Sequence, residues 1–304
     1  MDVRVVASGL WFPEGPAIAR NGDVLVTEIA GQRIGRVTPD GGVSVLAETG
    51  GGPNGAAFGP DGYLYVANNG GRWPSDMPST VEAGAPPEGR GSIQRILPDG
   101  EVEIFLTEID GVPLNSPNDL AFDGHDGFYF TDPRWAGSTG GAGDTGPVCY
   151  VDGKGRANRV AGGIRFPNGI GVRDDGQTLI VSESLTGMLL SFRIESPGVL
   201  SEGSKGNGMI GRRSVPDGFC FDSLGRIIVA GHETNALFVL DGADGRPLHT
   251  VELPDAGPTN CCFGGPDHQT LYVTSSDLGQ LLALEWDVPG MVVFPDRLPP
   301  VMGL

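Results

Sequence analysis

FPEGPAIARNGDVLVTEIAGQRIGRVTPDGGVSVLA, residues Phe12 to Ala47, separates into four short apolar runs: GPAIAR, VLVTE, RIGRVT and VSVLA. Between them stand NGD, AGQ and PDGG. Asn-Gly or Asp-Gly between alternating apolar runs is the strongest short-range hairpin signal, so the stretch predicts a four-stranded antiparallel meander. Its opening phrase returns five times with altered letters: GPNG at Gly52–Gly55, SPND at Ser116–Asp119, FPNG at Phe166–Gly169, VPDG at Val215–Gly218 and GPTN at Gly257–Asn260. The prolines, Pro13, Pro53, Pro117, Pro167, Pro216 and Pro258, lie 40, 64, 50, 49 and 42 residues apart. Four-stranded units at such a period are propeller blades. Six of them predict an all-β, six-bladed β-propeller with four-stranded antiparallel blades around a central channel.

The sixth unit supplies only three strands, NCCFG, TLYVTSS and QLLALEW. Two segments compete for the missing fourth: the N-terminal VRVVA and the tail MVVFP, Met291 to Pro295. Either would close the ring, and closure removes the open sheet edges that invite aggregation. The whole chain, 1–304, is expected to form one domain with a tail over about 287–304. The longest repeat interval comes from NNGGRWPSDMPSTVEAGAPPEGRG, Asn68 to Gly91, and a second irregular stretch, DPRWAGSTGGAGDTG, runs from Asp132 to Gly146. Both follow the second strand of their blade, so both are expected on one face, as the mouth of a binding site. Each carries an Arg-Trp pair, Arg72–Trp73 and Arg134–Trp135, which makes Arg72 and Arg134 candidate substrate contacts.

Composition agrees with this reading. Glycine (51) and proline (25) make up about a quarter of 304 residues, yet apolar residues reach 39% and no tract is of low complexity. Many tight turns between short strands account for that balance. A net charge of −18 argues against nucleic acid or an anionic membrane as partner, because both require a basic face. A neutral substrate, or a divalent cation, suits it better. The opening MDVRVVASGL has neither a basic leader nor a long apolar core, and no window of about 20 apolar residues occurs. Together with four cysteines lacking any C-x-x-C spacing, Cys149, Cys220, Cys261 and Cys262, this leads to the expectation of a cytoplasmic protein with reduced, packed thiols. No assembly seam is visible, so a monomer is expected.

In a propeller the innermost strands line the axis, and the residue after each repeat proline is presented to the channel. Those residues are Glu14, Asn54, Asn118, Asn168, Asp217 and Thr259. Any one Pro-Asn-Gly or Pro-Asp-Gly is an ordinary turn, but acids and amides recurring in phase are not explained by turns alone. Two carboxylates in one narrow channel repel and raise each other's pKa unless a cation lies between them. An all-oxygen set of carboxylates and amide carbonyls suits calcium, magnesium or manganese better than zinc or copper.

The ordered motifs FPEGP, SPNDLAFD, FPNGI and VPDGFCFD resemble those of the gluconolactonase/regucalcin (senescence marker protein) family. These are six-bladed propellers that also include diisopropyl fluorophosphatase-like enzymes. The likeness extends from about Leu10 to Trp286. It implies that Glu14, Asn168 and Asp217 bind a catalytic divalent metal, that Asn118 either completes the set or holds substrate, and that Asp217 is the general base. It further implies a metal-dependent lactonase acting on a sugar lactone or related small lactone. Calcium is the first choice of cation, with magnesium, manganese, zinc or iron(II) as alternatives. In one respect the chain departs from the pattern. Sugar-lactonase members often carry an arginine two residues before the asparagine matched by Asn118, whereas this chain has Ser116. That points to an aldonolactone other than gluconolactone, or to a less hydroxylated lactone.

In the drawing this suggests, the cation polarises the ring carbonyl and water, held by the cation or by Asp217, attacks it. The rival readings are organophosphate or other ester hydrolysis at the same metal, and a non-catalytic metal-binding propeller. Of the four histidines, His125 and His268 fall in turns and His249 on an outer strand. His232, ending the second strand of the fifth blade on the mouth side, is the candidate for contact with substrate or a rim hydrogen bond. No G-x-S-x-G elbow exists to support a serine triad.

Overall fold

The computed structural model describes residues 2–71, 90–134, 145–201, 203–205, 215–254 and 257–294. Within them the chain is all β and contains no helix. The first repeat forms Pro13–Ile18, Val24–Glu28, Arg33–Val37 and Val43–Glu48, hydrogen-bonded in that order as an antiparallel meander. Five further sheets follow the same plan, giving a six-bladed β-propeller. Asp-Gly and Asn-Gly make the hairpins where expected, with Gly22 at φ 88° and Gly62 at φ 82°, a region that suits glycine.

The ring is closed by the N-terminus. Val3–Ser8 pairs antiparallel with Gln280–Glu285 and becomes the outer strand of blade six. The competing tail goes elsewhere. Met291 donates its N–H to the Phe221 carbonyl at 2.9 Å, and Gly290 donates to His268 at 2.8 Å. Phe294 then packs on the apolar clusters of blades two to four. The tail thus crosses beneath the channel instead of adding a strand. Blade four also departs from the simple plan. Its third strand, Met188–Ser196, pairs with two short segments, Val199–Leu200 and Ser204–Lys205, where one fourth strand would stand.

Period-two alternation distributes the core into six wedges, one between each pair of neighbouring blades. Val24 and Val26 join Leu281 and Ala283 of blade six, whereas Leu25 between them joins Leu64 and Val66 of blade two. Cys261 and Cys262 divide in the same way, the first packing toward blade five and the second toward blade one. The blade two–three wedge is the aromatic one, with Tyr65 edge-on to Phe122 and Phe105. Each blade is therefore held by burial against its neighbours on both sides.

Candidate active site at the propeller axis

In five blades the repeat proline stands at or next to the start of the inner strand and the ladder slips by an irregularity just beyond it, whereas in blade three the inner strand, Leu120–Phe122, begins after Pro117. Register shifts fall between Glu14 and Ala17, Pro53 and Ala56, Pro167 and Ile170, Pro216 and Phe219, and Pro258 and Asn260. A bulge bends a strand and re-aims its side chains, which is how Glu14, Asn54, Asn168 and Asp217 turn inward. Glu14, Asn54, Asn118, Asn168 and Asp217 are all buried there. Two of the pre-proline residues accept strain for it. Phe12 and Phe166 sit at φ 52° and 56°, although a residue before proline favours extended backbone. Their carbonyls are fixed by the N–H groups of Ile29 and Ser184, at 3.0 and 3.1 Å.

Hydroxyls on the second strands clasp this ring from blade to blade. Thr27 Oγ1 donates to the Asn54 carbonyl at 2.5 Å, Thr131 Oγ1 to that of Asn168 at 2.8 Å, and Ser182 Oγ to that of Asp217 at 2.8 Å. The hydroxyl of one blade thereby positions the axis residue of the next. The following residue on the second strand holds the turn before the proline. Glu28 accepts from the N–H of Trp11 at 2.8 Å and pairs with Arg33 at 2.9 Å. Asp132 accepts from Asn115 and Ser116 at 2.9 Å, and Glu183 from Arg165 at 3.0 Å. A third tier, at the opposite end of the blades, pairs Asp23 with Arg36, Asp123 with the Tyr150 hydroxyl, and Asp222 with Arg226 and Trp286. These buried acids are satisfied by the scaffold.

The acids on the axis have backbone donors, the N–H of Gly15 to Glu14 at 3.0 Å and that of Leu120 to Asp119 at 2.8 Å, but no counter-charge among the described residues. Glu14, Asp119 and Asp217 are buried together, and no lysine or arginine pairs with any of them among the described residues. Burial, and secondarily the Asp119 charge, pushes Glu14 up to about 8. Burial raises Asp119 to about 7. Asp217 lies well above the usual carboxylate range, first through burial and then through Glu14. Oδ1 of Asn118 is buried with no hydrogen-bond partner. No three His, Cys, Asp or Glu side chains form a ready-made metal cluster among the described residues, so a cation here would be held by amide oxygens as well as carboxylates. The donor chemistry fits that. Uncompensated carboxylates and an orphaned amide oxygen are a hard cation's preferences.

Asp119 and Asn260 are the axis residues that counting from the prolines did not place there. Thr259, the sixth residue in that count, spends its hydroxyl on Pro13 O and Thr274 Oγ1, both at 2.8 Å, sealing blade six to blade one. Its neighbour Asn260 enters the channel instead. The signal was in the sequence: the position one further along is glycine in four repeats (Gly15, Gly55, Gly169, Gly218) but Asp119 and Asn260 in the others. Below them a cavity of about 290 Å³ continues down the axis. It is lined by apolar inner-strand residues such as Ala57, Phe122, Val172 and Phe221, with Met291, Val293 and Phe294 of the tail at its far end. Cys220 and Cys261 also lie there, Sγ to Sγ 3.4 Å, as free thiols.

The remaining expected contacts separate. His232 ends its strand opposite Val215, with its ring edge-on to Phe12 at 6.5 Å between centroids. Arg134 is exposed just past the second strand of blade three. Arg72 and Trp135 lie outside the described residues. Ser116 is buried, and its hydroxyl donates to Pro133 O at 2.6 Å, so it turns into the scaffold.

Residues 12–277 match the family model described as SMP-30/Gluconolactonase/LRE-like region. A gluconolactonase of Zymomonas mobilis is 26% identical, over 90% of this chain and 79% of that protein. A 6-deoxy-6-sulfogluconolactonase of Pseudomonas putida is 33% identical, over 47% of this chain and 50% of its own length. Among solved structures, a calcium-binding protein, regucalcin, of Agrobacterium tumefaciens superposes with a TM-score of 0.74 at 18% identity, covering 100% of this chain and 98% of that one. At that identity the superposition speaks for the propeller fold.

Proposed function

The chain belongs to the SMP-30/gluconolactonase/LRE-like family, and from that premise we propose that it is a divalent-cation-dependent lactonase. The observation that carries the reading is the buried trio Glu14, Asp119 and Asp217 with no basic partner among the described residues, beside the orphaned Oδ1 of Asn118. Glu14, Asn118, Asn168 and Asp217 would hold the cation, calcium being the first choice. When bound it supplies Lewis-acid polarisation of the ring carbonyl. Asp217 takes the proton from the attacking water as general base. Water oxygen adds to the carbonyl carbon, the acyl–oxygen ring bond breaks, and the proton passes to the departing ring oxygen. The product is a hydroxy acid. Phe12 and His232 stand at the rim, where they exclude bulk water and contact the substrate's far side.

The substrate is a small lactone with few hydroxyls. Ser116 stands where sugar-lactonase members often carry arginine, and its hydroxyl is spent on Pro133. Acid release in a pH-stat tests the proposal. Chelator-stripped protein is offered aldonolactones and simple aliphatic lactones, with calcium, magnesium, manganese, zinc or iron(II) restored in turn. Cation-dependent acid release is expected, strongest on the less hydroxylated rings. Silence on every lactone with a cation bound would overturn the lactonase reading.

A further inference from the structure

Blades three and six face one another in a six-membered ring, and these are the two blades whose repeat glycine is replaced. Their substitutes meet. Nδ2 of Asn260 donates to Oδ2 of Asp119 at 3.4 Å, joining residues 141 positions apart across the channel. The orientation of both groups is fixed from behind. Oδ1 of Asn260 accepts the N–H of Cys261 at 2.8 Å, and Oδ1 of Asp119 accepts that of Leu120, also at 2.8 Å. The amide nitrogen of Asn260 must therefore face the axis. Each side chain also lies on a glycine of the preceding blade. A Cβ on Gly218 would collide with the Asn260 amide, and one on Gly55 would stand 2.5 Å from Cα of Asp119. The glycines of GPNG and VPDG thus clear the seats of the cross-axis pair.

Glu14, from blade one, lies close enough to feel the Asp119 charge and the Asn260 amide. Without that amide, the Glu14 and Asp119 carboxylates would keep only backbone donors, the N–H of Gly15 at 3.0 Å and that of Leu120 at 2.8 Å. We propose that Asn260 is a positioning residue of the cation site, a neutral strut that holds Asp119 in place from across the axis, beside the cation ligand Glu14. The inference rests on the cation site proposed above. It assigns Asn260 no contact with substrate. Its effect passes through Asp119.

The test is calorimetric titration of calcium, and separately manganese, into chelator-stripped wild type, Asn260→Ala, Asp119→Asn and the double variant. Thermal unfolding of each metal-free form is followed alongside. Loss of a residue that orients ligands weakens metal binding by about 10- to 100-fold, and that is the loss expected for Asn260→Ala. Because Asn260 acts through Asp119, the double variant should bind little more weakly than the weaker single variant. Cation affinity unchanged in Asn260→Ala overturns the inference, as do losses that simply multiply in the double variant. Wild type that binds neither cation overturns the cation site itself, a different result. Should Asn260→Ala not fold, Asn260→Ser keeps a polar group but cannot span the axis, and the same outcomes apply.

Discussion

Gly55 and Asp119 occupy the same space: a Cβ on the glycine would stand 2.5 Å from Cα of the aspartate in the next blade. Gly55→Ala must therefore spread blades two and three at the channel. Overpacking of this kind costs about 1–3 kcal/mol. Gly162 offers a control, since nothing lies within 4 Å of its added Cβ and its φ is not positive. Chemical denaturation should find Gly162→Ala within about 0.5 kcal/mol of wild type, and Gly55→Ala well below it with impaired cation binding.

Glu14→Gln should abolish cation-dependent activity and yet stabilise the metal-free protein. The carboxylate it removes is buried without a basic partner, and burial raises its pKa to about 8. An uncompensated buried charge costs more than a neutral amide of the same shape. Differential scanning fluorimetry at pH 8 with chelator should raise the Tm by a few degrees, on the order expected for ~1 kcal/mol. With calcium added, wild type should overtake the variant. A variant less stable in both conditions would contradict the reading.

The same groups set the pH dependence of the metal-free protein. Glu14 and Asp119 rise from ordinary values of 4.5 and 3.8 to about 8 and about 7 in the folded state. The native state then binds more protons than the unfolded one between those limits, so stability falls as pH rises. The contribution is fully present below about pH 4 and is lost by about pH 8. Urea titrations of chelator-treated protein between pH 5 and 9 should show that decline. Saturating calcium should flatten it, and its binding should release protons to the buffer.

Removal of residues 1–9 should make the ring prone to aggregate. Val3–Ser8 covers the outer edge of Gln280–Glu285, and an uncovered edge pairs with other chains. Light scattering and a lowered Tm check this, and the tail cannot substitute because it lies beneath the channel.

Ser116→Arg should not create a gluconolactonase. Ser116 is 2% exposed and hydrogen-bonded to Pro133, so a guanidinium there has no path to the mouth without unseating the loop. The expected outcome is lower stability with no gain on gluconolactone in the pH-stat.

Turn chemistry and period-two runs are local, and they made the blades legible: NGD, PDGG and the repeat prolines each act within a few residues. The inward-facing oxygen-bearing side chains were legible for the same reason, since Glu14, Asn168 and Asp217 occupy one phase of one repeat. Asp119 was visible as an acid but not as an axis residue, and Asn260 was hidden behind Thr259, which counting placed in the channel. The bulge that begins at Pro258 shifts the sixth strand's register. A one-residue slip in a strand exchanges its faces.

Sequence by itself determined the number of blades, the order of strands within each and the ring of oxygen-bearing side chains, because all three follow from a repeat read along the chain. Only the tertiary structure decided which end closes the ring, which buried acids keep a scaffold partner and which two side chains meet across the axis. Glu28 has Arg33 within its own blade and Glu14 has no such neighbour, a difference no repeat spells out. Asp119 and Asn260 face each other only because six blades complete a circle. Opposition across a ring is a property of the closed object, not of any segment of its chain.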